Sequence, residues 1–513
     1  LKSIRDSVMT RTYWSGWRQE APALLTLLLG WNSPATAHVM QAPYNLPVPL
    51  WLYAYGATAA LLASFAVVGY LVRADAGSSA QTHLVITRHP LVRWLINPVA
   101  QRAVRSLSLG ALVLTILSGF LGTTVAAQNF SITFFWIVFV LAFAYLTAVV
   151  GDVYRFINPI LILCDGIETI KPRLFKGLIR YPQHFGYYPA VALYIVFIWI
   201  ELFGQATPKE LAIILSCYVL ISLVAAWLVG RDAWFQYGDF LAIFFRLIGK
   251  LSPLEYRCPE NRQGPEIILR PPSFGILTER PDHPSLLIFV LFMLSSTAYD
   301  GIHETVPWVG IFWKQIYPFL AKFIGVGQPG QYLILVEYYY YWQRLMMVIS
   351  PFVYLAIYLG FVAMIRFFVR TPVDTSSLAL RFAFTLIPIA FVYNLTHYFT
   401  LAILQGPAIL PLLSDPLGLG WDLFGTSGWY DAPILLEAGT IWHTQVGLIL
   451  VGHILSVYLS HLEALKIFSS RREAALSQLP MLILMVILTT IGLWILSLPI
   501  AAGQVLLPPV TGG

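Results

Sequence analysis

The chain has 513 residues, 58% hydrophobic and 11% charged, with 31 Lys and Arg against 25 Asp and Glu for a net charge of +6. A soluble globular domain is about 25% charged, so this composition excludes a soluble enzyme and specifies a membrane-embedded chain. The positive surplus does not point to nucleic acid, because the basic residues recur in short loops between apolar runs.

At the start, Lys2, Arg5, Arg11 and Arg18 precede the apolar run Ala23 to Trp31 and then Ala35-Thr36-Ala37-His38. A basic region, an apolar region and an A-x-A site make residues 1–37 a signal peptide-like or signal-anchor segment. Cleavage there would expose His38, whose amine and ring can chelate copper.

A membrane helix needs about 20 mostly apolar residues. Ten stretches meet this after the signal-like segment: 47–72, 107–127, 131–153, 187–206, 208–230, 284–300, 335–365, 378–403, 439–462 and 478–502. The apolar segment 306–327 carries Lys314 and Lys322 and reads as an interfacial or re-entrant piece. The fold class is therefore all-α: a polytopic integral membrane helical bundle of about ten transmembrane helices.

Every alternate loop is basic: 73–106, 155–186, 231–283, the turn around Arg366 and Arg370, and 464–477. The positive-inside rule puts these in the cytoplasm and puts both mature ends on the outer side. The expected location is the bacterial inner membrane. Segment 231–283, rich in Pro253, Pro259, Pro265, Pro271 and Pro272, reads as a cytoplasmic connection. It divides the chain into a five-span half at 38–230 and another at 284–513. Halves with an odd span number have opposite orientations, as in inverted-repeat transporters, although the two halves share no sequence similarity. Tyr338 to Trp342 read as an aromatic belt at the headgroups.

Three cysteines, Cys164, Cys217 and Cys258, are far apart and imply neither a disulfide framework nor a zinc ribbon. The histidines carry more information. From Phe382 to Leu465 there is no Lys or Arg, yet four of the ten histidines fall there: His397, His443, His453 and His461. Ionisable groups in hydrocarbon are costly and mark sites or pathways. His397 lies about 9 Å and His443 about 6 Å below the outer ends of their spans at 1.5 Å per residue. The sixth span ends in Asp300, His303 and Glu304, and the seventh begins near Glu337 and Arg344. The long loop between spans eight and nine carries Asp422, Asp431 and Glu437 and reads as a lid or site wall.

An outer cluster is therefore expected. His397, His443 and His303 are its candidate metal ligands, and Asp300, Glu437 and Arg344 its catalytic groups. Such mixed ligands suit a divalent transition metal, zinc or copper, which can lower the pKa of a bound water. Arg344 would hold an anionic oxygen or pair with Glu337. His443, His453 and His461 share one helix, a ladder that could ligate haem or relay protons. His453 and His461 are the cofactor-binding candidates, with haem b as the lesser alternative. On the inner side Asp152 is expected to pair with Arg155, and Arg231 with Asp232 or Asp239.

GDVYRFINP, SSTAYDG, THYFT, GWDLFGT and VGHILSVYLSH occur in this order, after A-T-A-H-V and the run Leu46 to Trp51. Together they resemble the bacterial polytopic membrane family named fenitrothion hydrolase, over about His38 to His461. The resemblance implies cleavage of the aryl–phosphorus bond of an organophosphate triester, with Asp300, His397, Asp422, His453 and His461 in the matching motifs.

Three functions are compatible with these residues. One is a metal-assisted hydrolase of phosphoester-like substrates. The second is a haem- or copper-binding redox subunit of a larger complex, with His38 and Met40 at the outer face. The third is a proton-coupled transporter or a structural membrane subunit. The expected partners are the lipid bilayer, other membrane subunits and an unidentified small molecule.

Overall fold

A computed structural model describes residues 48–71, 84–87, 89–90, 97–204, 206–257, 266–278, 281–324, 331–430, 436–468 and 470–498. The signal-like segment, His38, Met40, His83, Cys258 and Asp431 lie outside the described residues.

Among the described residues ten helices are long and apolar enough to cross a membrane, and they coincide with the ten stretches expected. They are Leu50–Leu71, Pro98–Leu121, Phe130–Val150, Gln183–Phe203, Pro208–Val229, Pro284–His303, Leu335–Val369, Thr375–His397, Ala438–Ile467 and Arg471–Ser497, numbered first to tenth. The chain is an integral, multi-pass, all-α membrane protein.

Local chemistry sets where several spans begin. Asn97 caps the second, its side chain accepting from Val99 N just before Pro98 in the first turn. Thr207 and Glu210 form a reciprocal capping box at the start of the fifth, beside Pro208. The fifth ends at Gly230, whose φ of 91° demands glycine there.

The helices do not group as two successive sets of five. The first span packs against the ninth and tenth, and the sixth packs against the seventh and eighth. These six spans form one group. The second packs on the fifth and the third joins them, while the fourth packs on the sixth and the segment after the fifth and meets this set through Phe197. The sixth and eighth spans are central, with 78% and 72% of their apolar windows enclosed, against 11% for the first.

Segment 231–283 is more than a Pro-rich connection. After Gly230 the chain runs through Arg231–Ala233 and a wide turn at Trp234–Gly238 to Asp239, then forms the ten-residue helix Phe240–Gly249. Phe240, Leu241, Ile243, Phe245, Leu247 and Ile248 are all buried in the main core. Tyr218 donates to Asp239 Oδ2 at 2.7 Å. Tyr218 precedes Gly230 by twelve residues in one straight helix, about 18 Å along the axis. Asp239 is therefore deep among the spans. Gly249 lies back at the end of the third span, where a Cβ would meet Asp152 N at 2.7 Å. The segment is a re-entrant hairpin that dips into the bundle from the basic end and returns.

The rest of the connection makes a small antiparallel sheet at the basic end, in the order Leu84–Val85, Glu266–Leu269, Leu254–Arg257. Arg270 donates to Glu255 at 2.9 Å and Arg257 to its other oxygen at 2.6 Å. Burial pushes the Glu255 carboxyl up, but Arg257 and Arg270 outweigh it and hold the pKa below the usual carboxylate value. A depressed folded-state pKa gives stability that is present above the unfolded value, about 4.3, and lost as pH falls through the folded one. Amide exchange in residues 254–257 and 266–269 is expected to accelerate below about pH 4 in wild type. Glu255→Gln should remove that pH dependence.

The amphipathic segment Val306–Ile324 packs its aromatic face on the seventh span, Trp308 stacking on Trp342 at 4.9 Å and Trp313 on Tyr339 at 5.9 Å. The expected belt is thus shared. Tyr338 and Tyr341 face outward, while Tyr339 and Trp342 hold this segment.

Candidate functional site: a bridged carboxylate pair

Spans of even number run in the same direction, so the C-terminal ends of the fourth, sixth and eighth meet at the end opposite the basic loops. Each brings one polar group. The fourth carries Glu201, the sixth Asp300 and the eighth His397, with Tyr398 next to it.

The Tyr398 hydroxyl lies 2.6 Å from Glu201 Oε1 and 2.7 Å from Asp300 Oδ2. His397 Nε2 lies 2.7 Å from the same Asp300 oxygen. Asp300 and Tyr398 are buried, Glu201 partly so. A phenol has one hydrogen to donate. With two carboxyl oxygens at hydrogen-bond distance, the phenol can donate to one of them at a time, and a proton on the other carboxyl would complete the second bond. If Glu201 holds it, Tyr398 donates to Asp300, which also accepts from His397. If Asp300 holds it, Tyr398 donates to Glu201. The two arrangements differ only by two hydrogens, each moved across one hydrogen bond. The cluster is a hydrogen-bonded bridge between Glu201 and Asp300 through Tyr398.

Beneath it lies a cavity of about 30 Å³, bounded by Glu201, Asp300, Asn394 and Tyr398 above and by Phe240 and Phe244 of the re-entrant helix below. That is room for one or two waters. On the far side His397 is 17% exposed, against 3% for Asp300, so the cluster lies between a small cavity and a more open side.

The structure brings together Asp300 and His397 as expected and adds Glu201 and Tyr398. His303 is adjacent but turned back, its Nδ1 2.8 Å from the Asp300 carbonyl oxygen and its ring stacked on Tyr299. Arg344 is buried beside the site, its guanidinium 5.7 Å over the Trp199 ring of the fourth span.

His443 and Glu437 do not join the cluster. Gln445 faces the eighth span, donating to the Thr396 carbonyl at 2.8 Å. His443, two residues away and about 200° around the helix, faces the first span, 3.1 Å from the Tyr53 hydroxyl. Glu437 is exposed at the N-terminus of the ninth span. Among the described residues no three His, Cys, Asp or Glu side chains converge to hold a metal ion. The ligand set expected from sequence is not assembled, because helix rotation separates its members.

His453 is fully buried, its Nδ1 2.8 Å from the Ile449 carbonyl oxygen and its ring against Tyr393. Beside it, a Cβ on Gly452 would meet Val392 at 2.4 Å, so the eighth and ninth spans touch there and leave no gap for a macrocycle on that face. His461 is also buried, toward the basic end.

The expected inner ion pairs are redistributed. Arg231 reaches Asp165 at 2.7 Å and Glu168 at 3.1 Å, with Asp232 at 3.7 Å. Asp239 caps the re-entrant helix through Ala242 N at 2.8 Å. Asp152 accepts from the Arg155 backbone N–H at 3.3 Å. The expected lid, including Asp422, folds over the second and third spans instead. Ser118 donates to the Pro416 carbonyl at 2.6 Å, and Thr123 N–H to that of Leu417 at 3.1 Å.

Fold and site together define a polytopic membrane protein with a tyrosine-bridged carboxylate pair between its fourth, sixth and eighth spans. Comparison with protein-family models, curated proteins and solved structures gave no match to the chain.

Proposed function

We propose that the chain is a proton-coupled membrane transporter, with Glu201, Tyr398, Asp300 and His397 as its proton relay. The observation that carries this reading is the single phenol bridging two carboxyls, an arrangement that a shared proton would complete and that supplies its route. Three features support it. Ionisable groups within spans are characteristic of proton relays. The cluster joins the fourth span to the sixth and eighth, so its protonation bears on how these three pack. A broken, re-entrant helix forms the cavity floor, as in transporters with discontinuous helices.

Electrostatics favour a cation over an anion. Three helix C-termini converge on the site, each with a partial negative charge, and the ionised member of the acid pair adds to it. A proton is stabilised in such a field and a phosphoryl oxygen is repelled. We place the basic loops in the cytoplasm of a bacterial inner membrane, so that His397 opens toward the outside.

The test is proton flux in reconstituted vesicles carrying an internal pH dye, driven by an imposed pH gradient and membrane potential. Wild-type protein is expected to conduct or exchange protons. Glu201→Gln and Asp300→Asn each leave one carboxyl and should stop flux while leaving folding intact. Equal rates in wild type, both variants and empty vesicles would refute the reading.

The hydrolase reading implied by the family resemblance rests on the same dyad. His397, oriented by Asp300, would be a general base through its other ring nitrogen on a water at its more open side. Aryl alcohol release from an aryl phosphotriester, lost in His397→Ala with flux absent throughout, would favour it.

A further inference from the structure

On the other side of the re-entrant helix lies a much larger cavity of about 490 Å³, and Leu241 lines both it and the small one. Its walls are the second span from Val104 to Thr115, the third from Phe130 to Phe143, and the fifth around Tyr218. We propose that this groove is a binding site for a hydrocarbon chain drawn from the bilayer, and that a lipid-like molecule is the cargo of the transporter. The second half of that statement rests on the transport reading; the first does not.

The chemistry of the wall identifies the occupant. No charged side chain and no histidine lines the groove. Three of its four hydroxyls, all but that of Tyr154, are directed into the protein: Thr115 donates to the Ala111 carbonyl at 2.7 Å, Ser108 to that of Ile157, and Tyr218 to Asp239 at 2.7 Å. A ligand there meets almost nothing to hydrogen-bond, so a polar molecule would lose its hydration without compensation. A hydrocarbon loses nothing.

Position and shape agree. Val104 and Leu107 at the rim are 45% and 72% exposed on membrane-spanning helices, so the open side faces lipid. From Val104 to Thr115 the wall extends about 16 Å by helical rise, close to half of a ~30 Å hydrocarbon core, the depth of one leaflet. One acyl chain matches that length.

The groove is also wired to the relay. Tyr218 forms part of its wall and holds Asp239, which caps the re-entrant helix. Leu241, in the first turn of that helix, separates the chain from the cavity under Glu201 and Asp300. A chain in the groove therefore presses on the floor of the proton site.

Gly110 provides a clean perturbation. A Cβ there meets nothing within 4 Å, and Gly110 lines the groove, so Gly110→Phe fills it without displacing backbone. Gly56 on the first span is equally open and lies elsewhere, so Gly56→Phe is the matched control. The full chain is reconstituted in phosphatidylcholine vesicles containing a phospholipid with a diazirine-bearing palmitoyl chain, irradiated, and the adducts mapped by mass spectrometry. Adducts are expected to concentrate on 104–115 and 130–143, to fall about tenfold or more in Gly110→Phe, and to persist in Gly56→Phe and Glu201→Gln. Labelling no denser there than on Leu50–Leu71, or unchanged in Gly110→Phe, overturns the site. If the adducts appear as expected but no variant alters proton flux, the lipid site stands and the transport reading falls. If flux behaves as proposed and the groove is unlabelled, the groove proposal alone is lost.

Discussion

Tyr398→Phe is expected to slow proton flux by roughly two to four orders of magnitude, the range contributed by a positioned proton-transfer group. The substitution keeps the ring and removes one oxygen. Glu201 and Asp300 then lose the atom 2.6 and 2.7 Å from each, and no single-hydrogen shift connects them. Asp300 retains His397 Nε2 at 2.7 Å, so the sixth and eighth spans stay joined. Folding should therefore change little, by about the 1–3 kcal/mol of a buried polar group left without its partner. The initial rate of dye quenching per reconstituted molecule is the measurement, with thermal unfolding in detergent as the folding control. A rate in Tyr398→Phe equal to wild type would remove the phenol from the pathway and the relay with it.

The second large effect concerns stability. Asp239→Ala removes the cap of the re-entrant helix, worth about 1 kcal/mol, and leaves the Tyr218 hydroxyl without its acceptor, at about 1–3 kcal/mol more. A loss of roughly 2–4 kcal/mol is expected from these together. Asp239→Asn keeps one oxygen for Ala242 N–H but puts an NH2 where Tyr218 donates, so it should recover the cap and not the Tyr218 acceptor. Hydrogen exchange localises the change: Phe240–Gly249 should lose protection in Asp239→Ala, while the ninth span keeps it. Uniform exchange across both would mean that the hairpin is not a separate unit.

How much of this was legible in the sequence depends on length and on neighbours. All ten spans were readable, because a run of about twenty apolar residues leaves a helix few other places to go. The helix Phe240–Gly249 was not, because ten apolar residues cannot cross a bilayer and its helical pattern sat inside a stretch dominated by prolines and basic residues. Its signal was the Asp-then-apolar start at Asp239, which marks an N-cap.

The partnership of Asp300 and His397 followed from both lying at the outer ends of adjacent spans. Glu201 was visible as a lone acid in Trp199-Ile200-Glu201-Leu202, and an intramembrane acid is by itself a signal. Tyr398 carried none, since a tyrosine beside a histidine near a span end resembles an ordinary belt residue. His443 shows the limit of depth as a guide. It has the expected depth, but its rotation about the helix axis turns it to Tyr53, and rotation depends on partners that a single span does not name.

The placement of the first span has a consequence for how the protein is made. Its main partners are the ninth and tenth spans, made long after it. During translation it must wait in the bilayer, with lipid on the faces that will later meet Trp442 and Leu493, while the spans between are inserted without it. A premature stop before the ninth span would leave the first helix without its main partners, so in this fold a late segment decides whether an early one has a place.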